Sequence, residues 1–494
     1  MSLRTMQMLI CLSILSLLLI TLPALAAEPA RTVYVDNVTG ADTNNGLSAV
    51  REGDGKTGPV ATIMQAVRLA GVGASIAIAN TGTPYRESVS IQGFKKGRAA
   101  TPLVIEGNGA TVTGLVAVPA ARWIHLRDDI YWFENKLPDG KYGDMPNSNW
   151  LGFLKHQGWF TEPQAPKIFF LDGVAAAHVT KLDEIPQGGF FYDTQATPRR
   201  LYFRLPVNKT LDQVKIDMPL NTGVYVSDDY VVVRNLASSY SQDDGFSGFW
   251  GIGVVFENIN GSNNCDQGYS MHGTSTSIVD GGLFEHNGGA GIVDVMSCMS
   301  IFRNVVVRDN MIGGVLFQGH AHSMLGCRVY GNRDNQIMVG QNATASFTNC
   351  LVIGDGHGTG IDLQSGRLDR VTIVNCDTGL RVWRNASVTS SIISNCAQEA
   401  LWVAKDAKNS VNVSKSLLGL GAALFGETRV TKEQWAEFVA SSKQLSDIAI
   451  DPPALDGPLF LLPKDSPYRT FGQNGMPPGA QLVDETPWQA ISTP

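Results

Sequence analysis

The stretch "SQDDGFSGFWGIGVVFENINGSN" (241–263) is followed directly by "NCDQGYSMHGTSTSIVDGGLFEH" (264–286), "NGGAGIVDVMSCMSIFRNVVVRD" (287–309) and "NMIGGVLFQGHAHSMLGCRVYG" (310–331). Aligned on Ser241, Asn264, Asn287, Asn310 and Asn332, the segments start 23, 23, 23 and 22 residues apart. Four places on, each carries Gly245, Gly268, Gly291, Gly314 or Gln336, and an apolar residue follows at Phe246, Tyr269, Ile292, Val315 or Ile337. The pattern continues, with small changes of length, through "GTGIDLQ" (358–364) and "NCDTGLRVW" (375–383), so the repeating region runs from about 224 to 404. This period fits neither a helical pair nor a propeller blade. It suits one coil of three short strands, whose alternate side chains point inward and whose backbone partners come from the next coil. The recurring Asn falls in a turn, where its amide can bond the next coil and form a ladder.

Composition agrees with a turn-rich chain: 52 glycines and only 17% charged residues in 494. The formal net charge of −7, with no basic run, argues against nucleic acid as a partner. "MSLRTMQMLICLSILSLLLITLPALA" has Arg4, an apolar stretch and Ala24-Leu25-Ala26 as a small-x-small cleavage site. Residues 1–26 therefore read as a cleavable signal peptide, which makes the protein secreted or periplasmic with no membrane span in the mature chain. Six cysteines remain: Cys265, Cys298, Cys327, Cys350, Cys376 and Cys396. None forms a CxxC pair, which speaks against zinc. Cys327 with Cys350, and Cys376 with Cys396, fall on adjacent coils, where they either pair as disulfides or pack as thiols. Residues 27–117 read as an N-terminal cap and first coils, in which "GPVATIMQAVRLAG" (58–71) forms an amphipathic helix facing Ile63, Ala66, Val67 and Ala70 to the core. Residues 118–215 break the repeat with Trp123, Tyr131, Trp132, Phe133, Trp150, Trp159, Phe190, Phe191 and Tyr192, and read as an inserted subdomain. Coils resume over 216–405. Residues 406–494 form a C-terminal cap and tail, with a helix in "TKEQWAEFVASSKQ" (431–444) opened by Thr431 and Gln434 at capping-box spacing.

"VYVDNVTGADTNNGLSAVREGDGKTGPVATIMQAV", the segment "FFLDGVAAAHVTKLDEIPQGGFFYDTQATPRRLYFRLP" (169–206) and the closing "DPPALDGPLFLLPKDSPYRTFGQNGMPPGA" resemble parts of exported, carbohydrate-active proteins of the pectate-lyase-like superfamily. The resemblance covers most of the mature chain. It implies an all-β fold, a right-handed parallel β-helix (solenoid) with an N-terminal capping helix and an inserted subdomain. It leaves the reaction open, because that superfamily holds lyases, hydrolases, epimerases and proteins without known activity. The expectation is a monomer that acts on a polysaccharide, by β-elimination or by glycosidic hydrolysis, along a groove on the solenoid. The alternative is a non-catalytic polysaccharide-binding or cell-surface protein.

Stacking sets equivalent residues of adjacent coils about 4.8 Å apart. Asp243 and Asp266, 23 apart, then lie one above the other with Asp244 beside them. Three carboxylates that close repel unless protonated or matched by a cation. They are candidates as catalytic residues and as metal ligands, since hard oxygens from adjacent turns suit calcium. "DDGFS" (243–247) resembles the "DDGFD" calcium segment of one pectate lyase family, with Ser247 in place of its last acid. That family's lysine base has no counterpart here, because no lysine lies between Lys215 and Lys405; Arg303, Arg381 or a histidine would have to serve. The adjacent acids and "MHG" (271–273) also resemble the paired aspartates and His-Gly of polygalacturonases, whose Arg-x-Lys is missing. Hydrolysis needs an acid and a partner carboxylate. Asp is equally a turn-filling residue, and Asp228-Asp229 is another such pair. His272 is the acid–base histidine candidate and should point outward with Ser270, beside Phe249 and Val295. His320 and His322 share a two-residue spacing that could present both to a metal, or mark a turn. Asp294 has the inward parity of Ile292, as a buried acid or a slip in register. Asp362 and Arg381 should project from adjacent coils with Gln364 and Trp383 beside them, as a sugar-binding group or a surface ion pair.

Overall fold

The computed structural model describes residues 31–133, 165–193, 195–196, 200–340, 342–419, 422–431, 433–450 and 453–482. The leader-like residues 1–26, Trp150, Trp159 and residues 483–494 lie outside them. Among the described residues, 27 strands join one sheet system, almost entirely by parallel pairing between coils of a solenoid of about 9 turns.

Each regular coil contributes to three ladders. In the first, Phe246–Phe249 pairs with Tyr269–His272, which pairs with Ala290–Asp294, Gly313–Phe317, Ile337–Val339, Thr359–Asp369, Thr378–Thr389 and Glu399–Val403 in turn. The other two run through the two halves of long strands such as Val254–Ser262 and Thr276–Glu285. Between the halves the chain bends at single residues with positive φ: Asn235, Asn258, Gly281, Asn304, Gly326 and Asn349. Asn and Gly reach this left-handed region at least cost, and their spacing repeats the coil period. Phe246, Tyr269, Ile292, Val315 and Ile337 stack in register and are buried. Phe256, Phe284, Phe302, Phe317 and Phe347 fill the space between the ladders. Full burial of each such side chain contributes about 1.5–3 kcal/mol.

The Asn ladder forms as the repeat implies. The Nδ2 of Asn264 donates to Asn287 Oδ1 at 2.9 Å, Asn287 to Asn310 at 2.9 Å and Asn310 to Asn332 at 2.8 Å. All four are wholly buried. The ladder also explains the glycine four places on. A Cβ at Gly245, Gly268, Gly291 or Gly314 would meet the amide nitrogen of Asn264, Asn287, Asn310 or Asn332 at 2.6, 2.9, 2.8 and 2.8 Å. On the next coil Gln336 replaces glycine, and its own Oε1 accepts from Asn332 at 3.0 Å, so the ladder ends on a side chain from the glycine column.

The first helix is shorter than 58–71: it spans Ile63–Leu69, with Thr62 Oγ1 accepting from Gln65 N–H, and buries Ile63, Ala66 and Val67. It packs against strands Thr32–Val35, Ser75–Ile78 and Val89–Ile91. The chain leaves the solenoid after Leu103–Thr113 and rejoins it at Val224–Val226. Between them Leu115–Ala117 pairs antiparallel with Ile216–Pro219, and a five-stranded sheet carries its own core of Trp123, Phe133, Phe169, Phe190 and Phe203. The Trp123 and Phe203 rings meet at 4.7 Å. That core is continuous with Cys265 and Met311 on the solenoid. The second helix covers Trp435–Ser441 rather than starting at Thr431. Half the anticipated box forms, with Thr431 N–H donating to Gln434 Oε1 at 3.1 Å. All six described cysteines are buried free thiols, and those of Cys327 and Cys350 donate to the carbonyls of Phe302 and Met324. Among the described residues no helix is long and apolar enough to cross a membrane.

Candidate active site

Asp243 and Asp244 lie in the turn entering strand Phe246–Phe249, and Asp266 lies in the equivalent turn before Tyr269–His272. Asp266 N–H donates to the Asp243 carbonyl at 3.2 Å, which fixes the two turns one above the other. The three side chains bring a carboxylate oxygen each within 4.8 Å of one another. Asp244 is buried, whereas Asp243 and Asp266 are partly open. Gln267 braces the group: its backbone N–H donates to Asp244 Oδ1 at 3.1 Å, and its side-chain amide donates to Asp266 Oδ1. Next to Asp266 the following coil carries Gly289, where a Cβ would lie 2.4 Å from Asp266 Oδ1. Only glycine leaves that carboxylate its space.

The electrostatics follow from crowding and desolvation. Burial, then the charge of Asp243, pushes Asp266 up to about 7. Burial first, then Asp243 and Asp266, holds Asp244 well above the ordinary carboxylate range, against the Gln267 N–H bond. A proton is therefore retained in the cluster at pH values where an isolated aspartate has lost it.

His272 closes the other side of the face. It is partly open, its ring stacks on Phe249 at 5.4 Å, and its Nε2 lies 3.0 Å from Ser270 Oγ. Burial lowers its pKa; the charges of Asp294 and then Asp243 pull it part of the way back. The imidazole thus shares the field of the acids despite its sequence distance from Asp266. Ser270 is buried rather than outward-facing to solvent. Trp250, 59% exposed with φ 64°, packs its ring against Phe249 at 4.2 Å and forms the rim. On the acid side, the inserted region abuts the cluster through Cys265 and through Phe170 against Tyr240, ring to ring at 5.2 Å.

Other candidates are separated from this group. Arg303 lies on a different ladder and faces Asp280 at 3.8 Å, and Arg381 is five strand spacings from the His272 strand. Neither can serve as a base beside the acids. His320 is exposed while His322 is buried against Phe317, so the two do not form a metal site. Asp294 keeps its register and is fully buried. Its Oδ2 lies 3.6 Å from His322 Nδ1, which also contacts Ser300 Oγ at 2.7 Å. Asp362 and Arg381 pair in register as expected. Trp383 Nε1 donates to Asp362 Oδ1 at 2.5 Å, and Arg381 Nη1 is 3.5 Å from Asp362 Oδ2. Gln364 lies partly exposed on the same strand, where the register shifts.

The sequence reading passed over Gln267, Trp250 and Trp402. Trp402 follows Arg381 by one coil in register, a spacing visible in the repeat. A left-handed, exposed Trp250 leaves no such trace. A second group, Glu285, His286 and Asp309, also clusters within ligand distance. Arg308 already matches it, at 2.5 Å from Glu285 and 3.7 Å from Asp309.

Residues 201–325 and 283–395 each match the model of the right-handed β-helix region. Among solved structures, a complex of XylC with xylose is similar at 10% identity, covering 85% of this chain and 86% of that one, with a TM-score of 0.50. A glycoside hydrolase matches at 9% identity over 85% of this chain and 96% of its own, TM-score 0.48. Pectate lyase Pel9A matches at 14% identity over 92% and 96%, TM-score 0.38. No curated protein matches the chain. With its ladders, its repeat and the family-model match together, the chain folds as a right-handed parallel β-helix.

Proposed function

We propose that this protein is a carbohydrate-active enzyme that hydrolyses a glycosidic bond of a polysaccharide at Asp243, Asp244 and Asp266. The observation that carries the reading is three carboxylates held within 4.8 Å at the margin of one solenoid face. Such a group cannot hold three full charges at neutral pH, and sharing a proton gives it the acid and the base that glycosidic hydrolysis needs. Asp266, partly open and raised to about 7, is the proton donor to the leaving oxygen. Asp243 accepts the proton of the attacking water, whose oxygen bonds the anomeric carbon as the glycosidic C–O bond breaks. Asp244, buried and accepting from Gln267 N–H, ties together the two turns that carry the pair. Solved structures similar in fold include a XylC–xylose complex, which fits a carbohydrate role. On the strength of the leader-like residues 1–26, the enzyme acts outside the cytoplasm.

One feature favours a second reading. The same donors are hard oxygens from adjacent turns, the chemistry calcium takes. Asp243, Asp244 and Asp266 would hold the ion, which would supply charge neutralisation to a uronate carboxylate in β-elimination. His272, its pKa lowered by burial, would then stand as the neutral base that no lysine provides.

The test is incubation of the purified protein with acidic and neutral polysaccharides, with calcium or with chelator, reading reducing ends beside ultraviolet absorbance of unsaturated uronate. Reducing ends without new absorbance, insensitive to chelator, are expected. New absorbance lost in chelator would replace hydrolysis by the lyase reading. Silence in both, with glycan retention intact, would make the protein a binder.

A further inference from the structure

We infer that Asp362, Arg381, Trp383 and Trp402 form a distal subsite for an uncharged sugar unit of a linear polysaccharide. Asp362, Arg381 and Trp402 stand on three successive coils in register. The Trp383 and Trp402 rings are 4.9 Å apart and inclined at 56°, and the Arg381 guanidinium lies 5.7 Å from the Trp402 ring centre. Trp383 is 40% exposed although its Nε1 is tied to Asp362. A surface ion pair has little to gain from two indoles. Indole faces beside a fixed acceptor and a fixed donor are what a pyranose requires: rings for its C–H face, Asp362 and Arg381 for its hydroxyls.

Charge selects the class of sugar. The subsite's one cation already faces Asp362 at 3.5 Å, so a uronate would bring a second carboxylate against a matched pair. An uncharged unit meets no such penalty.

The subsite shares a ladder with the strands that the acid-bearing turns enter. From Tyr269–His272 the same ladder rises through Ala290–Asp294, Gly313–Phe317 and Ile337–Val339 to Asp362. Four strand spacings set Asp362 about 19 Å along the axis, and six set Trp402 about 29 Å along it. Val293, Leu316 and Met338 occupy the positions between, in register with Ser270 below and Asp362 above. Beside them Gly340 keeps the strip low: a Cβ there would press on Gln318 Cγ at 3.2 Å. A chain laid along this strip would span both sites. That placement as a distal subsite rests on the acids being the point of cleavage; the sugar binding does not.

Native gels containing arabinoxylan, mixed-linkage β-glucan, galactomannan, polygalacturonate or alginate would measure retention of wild type, Trp402→Ala, Trp383→Ala and Asp229→Ala, with thermal melts of each. Retention by at least one neutral polymer is expected, weakened about tenfold by either Trp variant and unchanged in Asp229→Ala. The exposed Trp383 supplies the result should Trp402→Ala fail to fold. No retention by any neutral polymer, retention by acidic polymers alone, or retention indifferent to folded Trp variants would overturn the subsite. Trp-sensitive binding in a wild type that cleaves nothing would uphold the subsite and defeat the hydrolase reading. Cleavage with Trp-indifferent binding would do the reverse.

Discussion

Asp228-Asp229 and Asp243-Asp244 are identical dipeptides in turns of the same solenoid, and the structure uses them differently. Asp228 spends both oxygens on backbone, accepting from Gly93 and Lys95 N–H at 2.7 Å each. Asp229 accepts from Ile252 N–H, one coil on, at 2.8 Å. Asp244 does the same with Gln267 N–H, also 23 residues on. The two pairs also diverge at what stacks one coil on: the residue one coil after Asp228 is Gly251, and the residue one coil after Asp243 is Asp266. A turn acid bonded to backbone is a staple. A turn acid stacked on another acid is the arrangement on which the proposed catalysis rests.

The sharpest way to break this contrast is Asp266→Asn. Turnover should fall by about 10²–10⁴ with the fold retained, measured as reducing ends per folded molecule. Activity of the wild type should also decline above about pH 7, as Asp266 loses the proton it must donate. An active Asp266→Asn enzyme would reduce the cluster to a second set of staples.

The other pair should answer in stability. Asp228→Ala strands two backbone N–H groups, and a loss of about 2–3 kcal/mol is expected from denaturant titration, with turnover per folded molecule unchanged. Asp229→Ala removes one bond and should cost about 1 kcal/mol. A fall in turnover from either would show that the contrast had been drawn in the wrong place.

How much of this the sequence carried depends on whether a feature repeats. The coil period, the Asn ladder and the stacking of Asp243 on Asp266 are all one-coil relations, and aligning the segments exposes them. Gln336 looked like an exception to the glycine column, yet it completes the ladder, a role seen only once its Oε1 is found on Asn332. Contacts across the coil leave no period. Asp294 meets His322 because an inward residue of one ladder faces an inward residue of another. Likewise Cys265 and Met311 join the core of the inserted region, which brings that region beside the acids; nothing in the repeat foretells it. Helix ends escape the apolar pattern for a local reason: Thr62 takes up the Gln65 N–H, so the first helix begins only after the Pro59 segment that the pattern includes.

The smallest effect tests the comparison from the side of folding. A carboxyl raised in the folded state holds a proton that the unfolded chain releases, so its contribution to stability is present at low pH and is lost as pH rises through the folded value. For Asp266 that window runs from its ordinary value of 3.8 up to about 7. Asp266→Asn carries no titrating group there. Its melting temperature should therefore match the wild type near pH 4 and exceed it by several degrees at pH 8, whereas Asp228→Ala should be less stable at both. Excess calcium gives the same experiment a second edge. If the cluster is a proton-sharing site, calcium leaves the pH 8 difference in place. If it holds the ion, calcium stabilises the wild type alone and erases the difference, because the repulsion that raised Asp266 is then answered by a cation instead of a proton.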